Sequence, residues 1–304
     1  MHAVVTGGGG FVGSHLAEAL LADGHTVTVV DDFSAGRRAW VPDAATVHAG
    51  DLTDPDVAQH AITPDVDLVA HLASRKAVND ADPRGQFADN TTMVQHVIAA
   101  MTDAGVTDLI YTSSSTVYGE APRPTPEDYA PLEPISAYGA SKLAAEGLIS
   151  VAAHTQGLDA TILRFANVVG PRLRGAVVPD FIEKLRADPT ELEILGNGRQ
   201  AKSYLDIDDC IAALRHVYRH ADAPCAIYNL GTRTTTTVDR IADIVAAELG
   251  VAPTYTYTGG DRGWTGDVPQ MRLSIEKLAA LGFEPAHSSD QAIERAAADL
   301  AAEL

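Results

Sequence analysis

The sequence predicts an α/β fold, a doubly wound parallel sheet with a smaller C-terminal lobe that is interleaved with it along the chain. Three observations carry this expectation. Short apolar runs alternate with helical patterns through residue 166, the first run ends in a glycine cluster that opens a helix, and from Asn167 the pattern loosens into glycine and proline turns.

Taken in order, Ala3-Val4-Val5-Thr6 reads as a strand, Gly7 to Gly10 as a turn, and the residues after it as a helix with Leu16, Ala17, Leu20 and Leu21 on one face. Further strands are expected at Val27 to Val30, Thr46 to Ala49, Val66 to Ala73, Thr107 to Thr112 and Thr161 to Phe165, with helices over 84–104 and 136–156. Beyond Asn167 come a helix near 179–187, an apolar run Leu192 to Leu195, helix 237–249, and helices near 274–281 and 288–303. The segment 205–220 reads as strand then helix and is expected to return to the main sheet. The domains expected are therefore 1–166, joined by about 205–222 and forming a dinucleotide-binding domain, and 167–304, mainly a substrate-binding lobe.

Composition narrows the function classes. The 304 residues, 46% hydrophobic, suit one enzyme-sized body. No run reaches ~18 apolar residues and no basic, apolar leader precedes the first strand, so neither a membrane association nor a secretory signal is expected, and a cytoplasmic location is. Cys210 and Cys225 lack metal-type spacing and read as reduced thiols. His216 and His220 are four apart without a third ligand, so they read as a solvated helix face and no metal is expected. The 41 acidic against 22 basic residues give −19, which disfavours nucleic acid. With only 5 lysines and 28 aspartates, the surface is of the kind that concentrated salt would screen, and a halophilic protein is expected.

The chemistry lies at the ends of the expected strands. The glycines satisfy both Gly7-x-x-Gly10-x-x-Gly13 and Gly8-x-Gly10-x-x-Gly13, with Phe11 and Val12 opening the helix, and missing Cβ atoms let backbone approach a pyrophosphate there. The second strand presents Asp31 and Asp32, placed to bond an adenosine ribose. A carboxylate at that ribose repels a 2′-phosphate, so NAD is expected rather than NADP, and Arg37 and Arg38 read as loop cations. Asp51 and Leu52 suit the adenine, although a helix start near Asp54 is the alternative. Leu72 and Ala73 end another strand at the crevice edge, and His71 reads as structural. Asn90 is either an amide near the cofactor or a buried brace, two readings that stay open. Ser113, Ser114, Ser115 and Thr116 place hydroxyls at the next strand end. Tyr138 and Lys142, one helical turn apart, form the reactive pair: an ammonium beside a phenol favours phenolate and makes the tyrosine an acid or base.

Together Thr6-Gly7-x-x-Gly10-Phe11-x-Gly13, Asp31, Asp51-Leu52, His71-Leu72-Ala73, Ser114-x-x-x-Tyr118-Gly119, Tyr138-x-x-x-Lys142 and Arg164-x-x-Asn167-x-x-Gly170-Pro171-Arg172 resemble the extended short-chain dehydrogenase/reductase family over essentially the whole chain. The likeness is strongest to nucleotide-sugar 4-epimerases of the UDP-glucose (UDP-galactose) type, especially archaeal ones. It extends to Gly198 through Tyr204 and to Arg262-Gly263-Trp264-x-Gly266-Asp267. It implies a Rossmann sheet with tightly bound NAD and a UDP-sugar as substrate. Tyr138 is then the base at the sugar 4-hydroxyl, Lys142 its partner and a ligand of the nicotinamide ribose, and Ser114 the holder of the 4-oxygen. Ser74, Lys76, Ser113 and Phe165 join the cofactor set, and Thr116, Asn167, Lys202 and Arg262 the substrate set. Lys202 stands where many relatives have arginine, which puts a planar bidentate contact in doubt. The related dehydratases need an added carboxylate beside the catalytic hydroxyl, and here Ser115 and Thr116 occupy those places. Relatives usually form homodimers through two helices, here those around 84–104 and 136–156. The alternatives are a nucleotide-sugar dehydrogenase, reductase or dehydratase, and a non-catalytic NAD-sensing regulator.

Overall fold

The computed structural model describes residues 1–76 and 81–304, so Ala77, which ends the Ser74–Ala77 stretch beside the expected cofactor site, lies outside the described residues. The chain runs β1 (His2–Thr6), α1 (Phe11–Ala22), β2 (Thr26–Asp31), β3 (Thr46–Ala49), α2 (Pro55–Ala61), β4 (Leu68–His71), α3 (Pro83–Ala104), β5 (Asp108–Ser114), α4 (Ala137–Gln156) and β6 (Asp159–Phe165). It continues through β7 (Asn167–Val169), α5 (Val177–Ala187), β8 (Glu191–Ile194), β9 (Ala201–Lys202), β10 (Tyr204–Asp206), α6 (Ile207–His220) and β11 (Cys225–Leu230). The last elements are β12 (Thr236–Thr237), α7 (Val238–Glu248), β13 (Thr254–Tyr257), β14 (Gln270–Met271), α8 (Glu276–Ala280) and α9 (Ser289–Glu303).

Among the described residues the main sheet has seven strands in the order β11-β6-β5-β4-β1-β2-β3. Strand β1 pairs in parallel with β2 on one side and β4 on the other, so the order reverses at β1, and the crevice of such a sheet opens at the carboxyl ends of these strands. Their apolar runs are continuous because helices cover both faces: Val4, Val5, Val29 and Val69 are fully buried, each burial stabilising by roughly 1.5–3 kcal/mol. Local chemistry starts and stops the helices. Asp54 and Asp82 cap α2 and α3 through the amides of Asp56 and Gly85, each ahead of a proline, at about 1 kcal/mol apiece. Gly105, at φ 73°, ends α3 in the left-handed conformation.

The chain divides into two compact units. One comprises Met1–Val117, Ala137–Arg164 and Leu214–Tyr228, and the other Tyr118–Ser136, Phe165–Ala213 and Asn229–Leu304. Two differences from the expected organisation have a physical reason. The strand at 204–206 pairs with β7 in a small parallel sheet rather than joining the main one, and the segment that returns is Leu214–Tyr228, which runs into a seventh strand, the short apolar run Cys225–Leu230. Residues 118–136 belong to the second unit, where Thr125 bridges to Leu273. That unit also holds the sheets β12-β9-β14 and β13-β8.

Candidate active site

The glycine turn joins the end of β1 to the start of α1. Gly7 has φ 67°, and a Cβ there would lie 2.7 Å from the Ala73 amide nitrogen, so the ends of β1 and β4 meet at this point. Gly10 donates to the Gly7 carbonyl at 3.0 Å and begins α1 without a side-chain cap. The amides of Phe11, Val12 and Gly13 are the first-turn donors that an α-helix leaves without intrahelical partners, at its positive end. A Cβ on Gly13 would sit 2.2 Å from the Gly7 carbonyl oxygen, which is a cradle that only backbone can form. The residues present fit a dinucleotide pyrophosphate.

Asp31 is buried at the end of β2, with Oδ2 accepting from Gly9 N and Oδ1 from Phe33 N, both at 2.8 Å. Burial raises its pKa against the lowering effect of these two amides. The loop beyond it folds onto the glycine turn through Arg37 N to Gly9 O at 2.8 Å, a closure for which Gly36 supplies the space. Asp32 turns away and caps its own loop at Ser34. The Arg37 guanidinium lies over Trp40, as expected of a loop cation. Asp51 is exposed, with Oδ1 accepting from Thr53 N at 2.8 Å, while the Leu52 side chain is part of the core. Backbone and burial decide both placements.

Other expected cofactor residues are drawn into bracing. Asn90 is buried, accepts from Arg75 N at 2.8 Å and Ser74 Oγ at 3.3 Å, and donates to Arg75 O and Ser141 Oγ. That is the brace reading, tying the segment after β4 to α4. Lys76 follows it on the surface. Leu72 and Ala73 both donate backbone amides to Thr6 Oγ1 at 3.2 Å. His71 is structural: its Nδ1 bonds Thr6 Oγ1 at 2.7 Å, its ring stacks on Tyr111, and burial with the nearby Lys142 pushes its pKa down to about 3.

Three consecutive residues of β5 meet three successive turns of α4. Lys142 Nζ donates to the Thr112 carbonyl at 2.8 Å, the Ser113 hydroxyl donates to Glu146 Oε1 at 2.5 Å, and Ser114 hydrogen-bonds Tyr138. The Ser113 hydroxyl is therefore turned toward Glu146. Ser114 Oγ accepts from Thr116 N at 3.2 Å and Thr116 Oγ1 at 3.0 Å, which leaves its own proton to point at the Tyr138 oxygen. Lys142 Nζ lies 5.7 Å from the Tyr138 ring centre and 4.8 Å from that of Tyr111. The expected depression of the Tyr138 pKa is corrected by its surroundings. Burial pushes the phenol up to about 12 against the Ser114 hydrogen bond, and pushes Lys142 down to about 7 against the Glu146 charge. Desolvation dominates both shifts.

In the second unit, Lys202 Nζ bonds Asp267 Oδ1 at 2.5 Å and lies 5.1 Å from the Trp264 ring centre. Arg262 donates to the Asp267 carbonyl at 2.6 Å and pairs with Glu120. Asn167 donates its amide to the carbonyl of Ser203, next to Lys202, at 3.2 Å, and its side chain bonds the buried Tyr204 hydroxyl, its register neighbour. Phe165 ends β6 half-buried. Glu120 and Glu146 are not among the residues singled out from the sequence, and Asp267 is named there only as the end of the Arg262–Asp267 motif. For Glu146 the signal was present, one further helical turn beyond Lys142. Among the described residues no cluster of potential ligands could hold a metal ion and no helix is long and apolar enough to cross a membrane.

A dinucleotide turn at a sheet reversal, with tyrosine, lysine and serine gathered at a neighbouring strand end, defines an α/β oxidoreductase-type protein. Residues 3–231 match the model of the NAD dependent epimerase/dehydratase family, and the chain belongs to that family. It is similar to a putative UDP-glucose 4-epimerase of Methanocaldococcus jannaschii, 27% identical over 96% of each chain. A crystal structure of UDP-galactose 4-epimerase superposes with a TM-score of 0.92 at 40% identity, covering 100% of both chains. The Thermus thermophilus UDP-glucose 4-epimerase in complex with NAD gives 0.88 at 30% identity over 99% of each. As a member of this NAD-dependent family its cofactor is NAD.

Proposed function

We propose that the enzyme interconverts UDP-glucose and UDP-galactose at C4. The observation that carries this reading is the Ser114, Tyr138 and Lys142 set with a hydroxyl, Thr116, and, among the described residues, no carboxylate bonded to Ser114. Dehydration needs an acid to expel hydroxide, whereas inversion at C4 needs one proton moved and returned. When bound, NAD supplies a reversible hydride acceptor and, oxidised, a positive charge that favours phenolate. Tyr138 takes the proton of the sugar 4-hydroxyl. Ser114 holds the 4-oxygen, and where it relays the proton one of its two Thr116 hydrogen bonds is released, so that its oxygen accepts the sugar proton as it gives its own to the phenolate. Lys142 holds the nicotinamide ribose and supports the phenolate. After the 4-keto sugar turns its other face, Tyr138 returns the proton. Lys202, Arg262 and Asn167 would hold the nucleotide diphosphate, the first two leaving Asp267 and Glu120 to do so.

A panel of UDP- and dTDP-sugars, including N-acetylated ones, tests the reading without added reductant. UDP-glucose and UDP-galactose are expected to interconvert with no net change in nicotinamide absorbance. Turnover confined to another sugar, an elimination product, or stoichiometric consumption of cofactor would overturn it, and the absence of any turnover would favour the NAD-sensing regulator.

We infer further a cytoplasmic, salt-adapted homodimer. Phe87 on α3 and Val151 on α4 are 40% and 59% exposed on two helices that pack together, a surface suited to a second copy, and the net charge is −19. Thermal unfolding and light scattering across a KCl series check both points. The midpoint should rise with salt and the mass should be twice 31.9 kDa; a flat midpoint or a monomer refutes the corresponding point.

A further inference from the structure

The buried pair Glu146 and Arg164 is not used by the reaction above. Arg164, on β6, grips the carboxylate with both forks, Nε to Oε1 at 3.0 Å and Nη2 to Oε2 at 2.7 Å, with side-chain exposures of only 3% and 6%. The Ser113 hydroxyl adds a third bond at 2.5 Å. Glu146 follows Lys142 by one turn of α4, just as Lys142 follows Tyr138, so the three lie in one stripe. The three hydrogen bonds that Glu146 accepts from β5 and β6 set how far along its axis, and at what rotation, α4 meets the end of β5. Bidentate geometry fixes orientation as well as distance.

The charges around Lys142 make Glu146 more than a peg. From β4 it faces His71, which stays neutral, and from β5 Tyr111, which burial keeps protonated. Its own helix offers Tyr138 and Glu146; Arg164 on β6 and the half-buried Cys225 on β11 border Glu146. Of these groups only Glu146 brings a negative charge to the ammonium.

We propose that Glu146 is a positioning residue for the reaction: held by Arg164 and Ser113, it registers α4 so that Tyr138 meets Ser114, and it supplies the negative charge that balances the buried Lys142 ammonium. This deepens the functional reading and rests on Tyr138 and Lys142 being the reacting pair.

The test follows Lys142 directly. With lysine labelled at the ε carbon, the 5 lysines give few resonances, and Lys142 is assigned by its loss in Lys142→Met. In Glu146→Gln the Lys142 titration midpoint should fall by about one pH unit, because an opposite charge one turn away has been removed. Activity that needs the ammonium is lost as pH rises through that midpoint, so the alkaline limb of kcat should move down by the same interval and recover on acidification. Glu146→Asp, which keeps the charge, should keep the midpoint while losing kcat through displacement. Since Glu146→Gln removes the charge that balances Arg164, Glu146→Gln with Arg164→Gln is measured beside it and is expected to show the same fall; if the single variant does not fold, the double one decides. An unmoved midpoint, or a loss of activity uniform across pH, overturns the proposal. A Tyr138→Phe enzyme that stays active while the Lys142 midpoint still follows Glu146 would instead refute the reading of the reaction.

Discussion

Tyr138→Phe is expected to retain NAD and UDP-sugar binding and to lose epimerisation by roughly 10²–10⁴-fold in kcat, the usual contribution of a positioned acid or base. The reason is local. Removing the hydroxyl leaves the half-buried ring where it is and deletes its hydrogen bond with Ser114, whose oxygen keeps its two Thr116 donors. The fold therefore loses only about 1 kcal/mol. What disappears is the group that accepts the sugar proton. A fall in kcat with KM nearly unchanged marks an interaction used in the transition state rather than in binding. Activity within about tenfold of wild type would remove Tyr138 from the mechanism.

Gly13→Ala is expected to weaken NAD binding by about ten- to a hundredfold and to lower the melting temperature. The added Cβ would lie 2.2 Å from the Gly7 carbonyl oxygen, 2.8 Å from its carbon and 2.9 Å from the Gly8 α carbon. All three are backbone atoms, so relief must come from moving the turn or the start of α1, at roughly 1–3 kcal/mol. That shift displaces the first-turn amides from the pyrophosphate, and each ~1.4 kcal/mol lost is a factor of ten in affinity. Gly147→Ala is the control: its Cβ would meet nothing within 4 Å. NAD content after purification and calorimetric titration would read the difference, and wild-type affinity in Gly13→Ala would refute the cradle.

Much of this was legible beforehand because it is local. A strand, a glycine turn and a helix follow one another in fewer than thirty residues, and Asp31 ends the next strand, so the cofactor turn needs no distant contact to be recognised. The four-residue step from Tyr138 to Lys142 is likewise a property of one helix. Consecutive serines were not separable in the same way: Ser113 bonds Glu146 and Ser114 bonds Tyr138, and only the placement of α4 against β5 decides which hydroxyl goes where. Asn90 offered two readings until Ser74, Arg75 and Ser141 were seen around it. The pairing of Lys202 with Asp267 joins residues 65 positions apart, and no periodicity points to it.

By itself, then, the sequence determined the sheet with its nucleotide turn, the NAD cofactor, the family, and the residues from which chemistry would have to be chosen. Those depend on spacing along one element or across one turn. The tertiary structure alone decided which strand completed the sheet, which hydroxyl reaches Tyr138, and how Tyr138 and Lys142 are poised. The last was read in the wrong direction from their spacing, because spacing reports proximity, whereas protonation in a buried site is governed by desolvation from every side and by a carboxylate fixed through another strand.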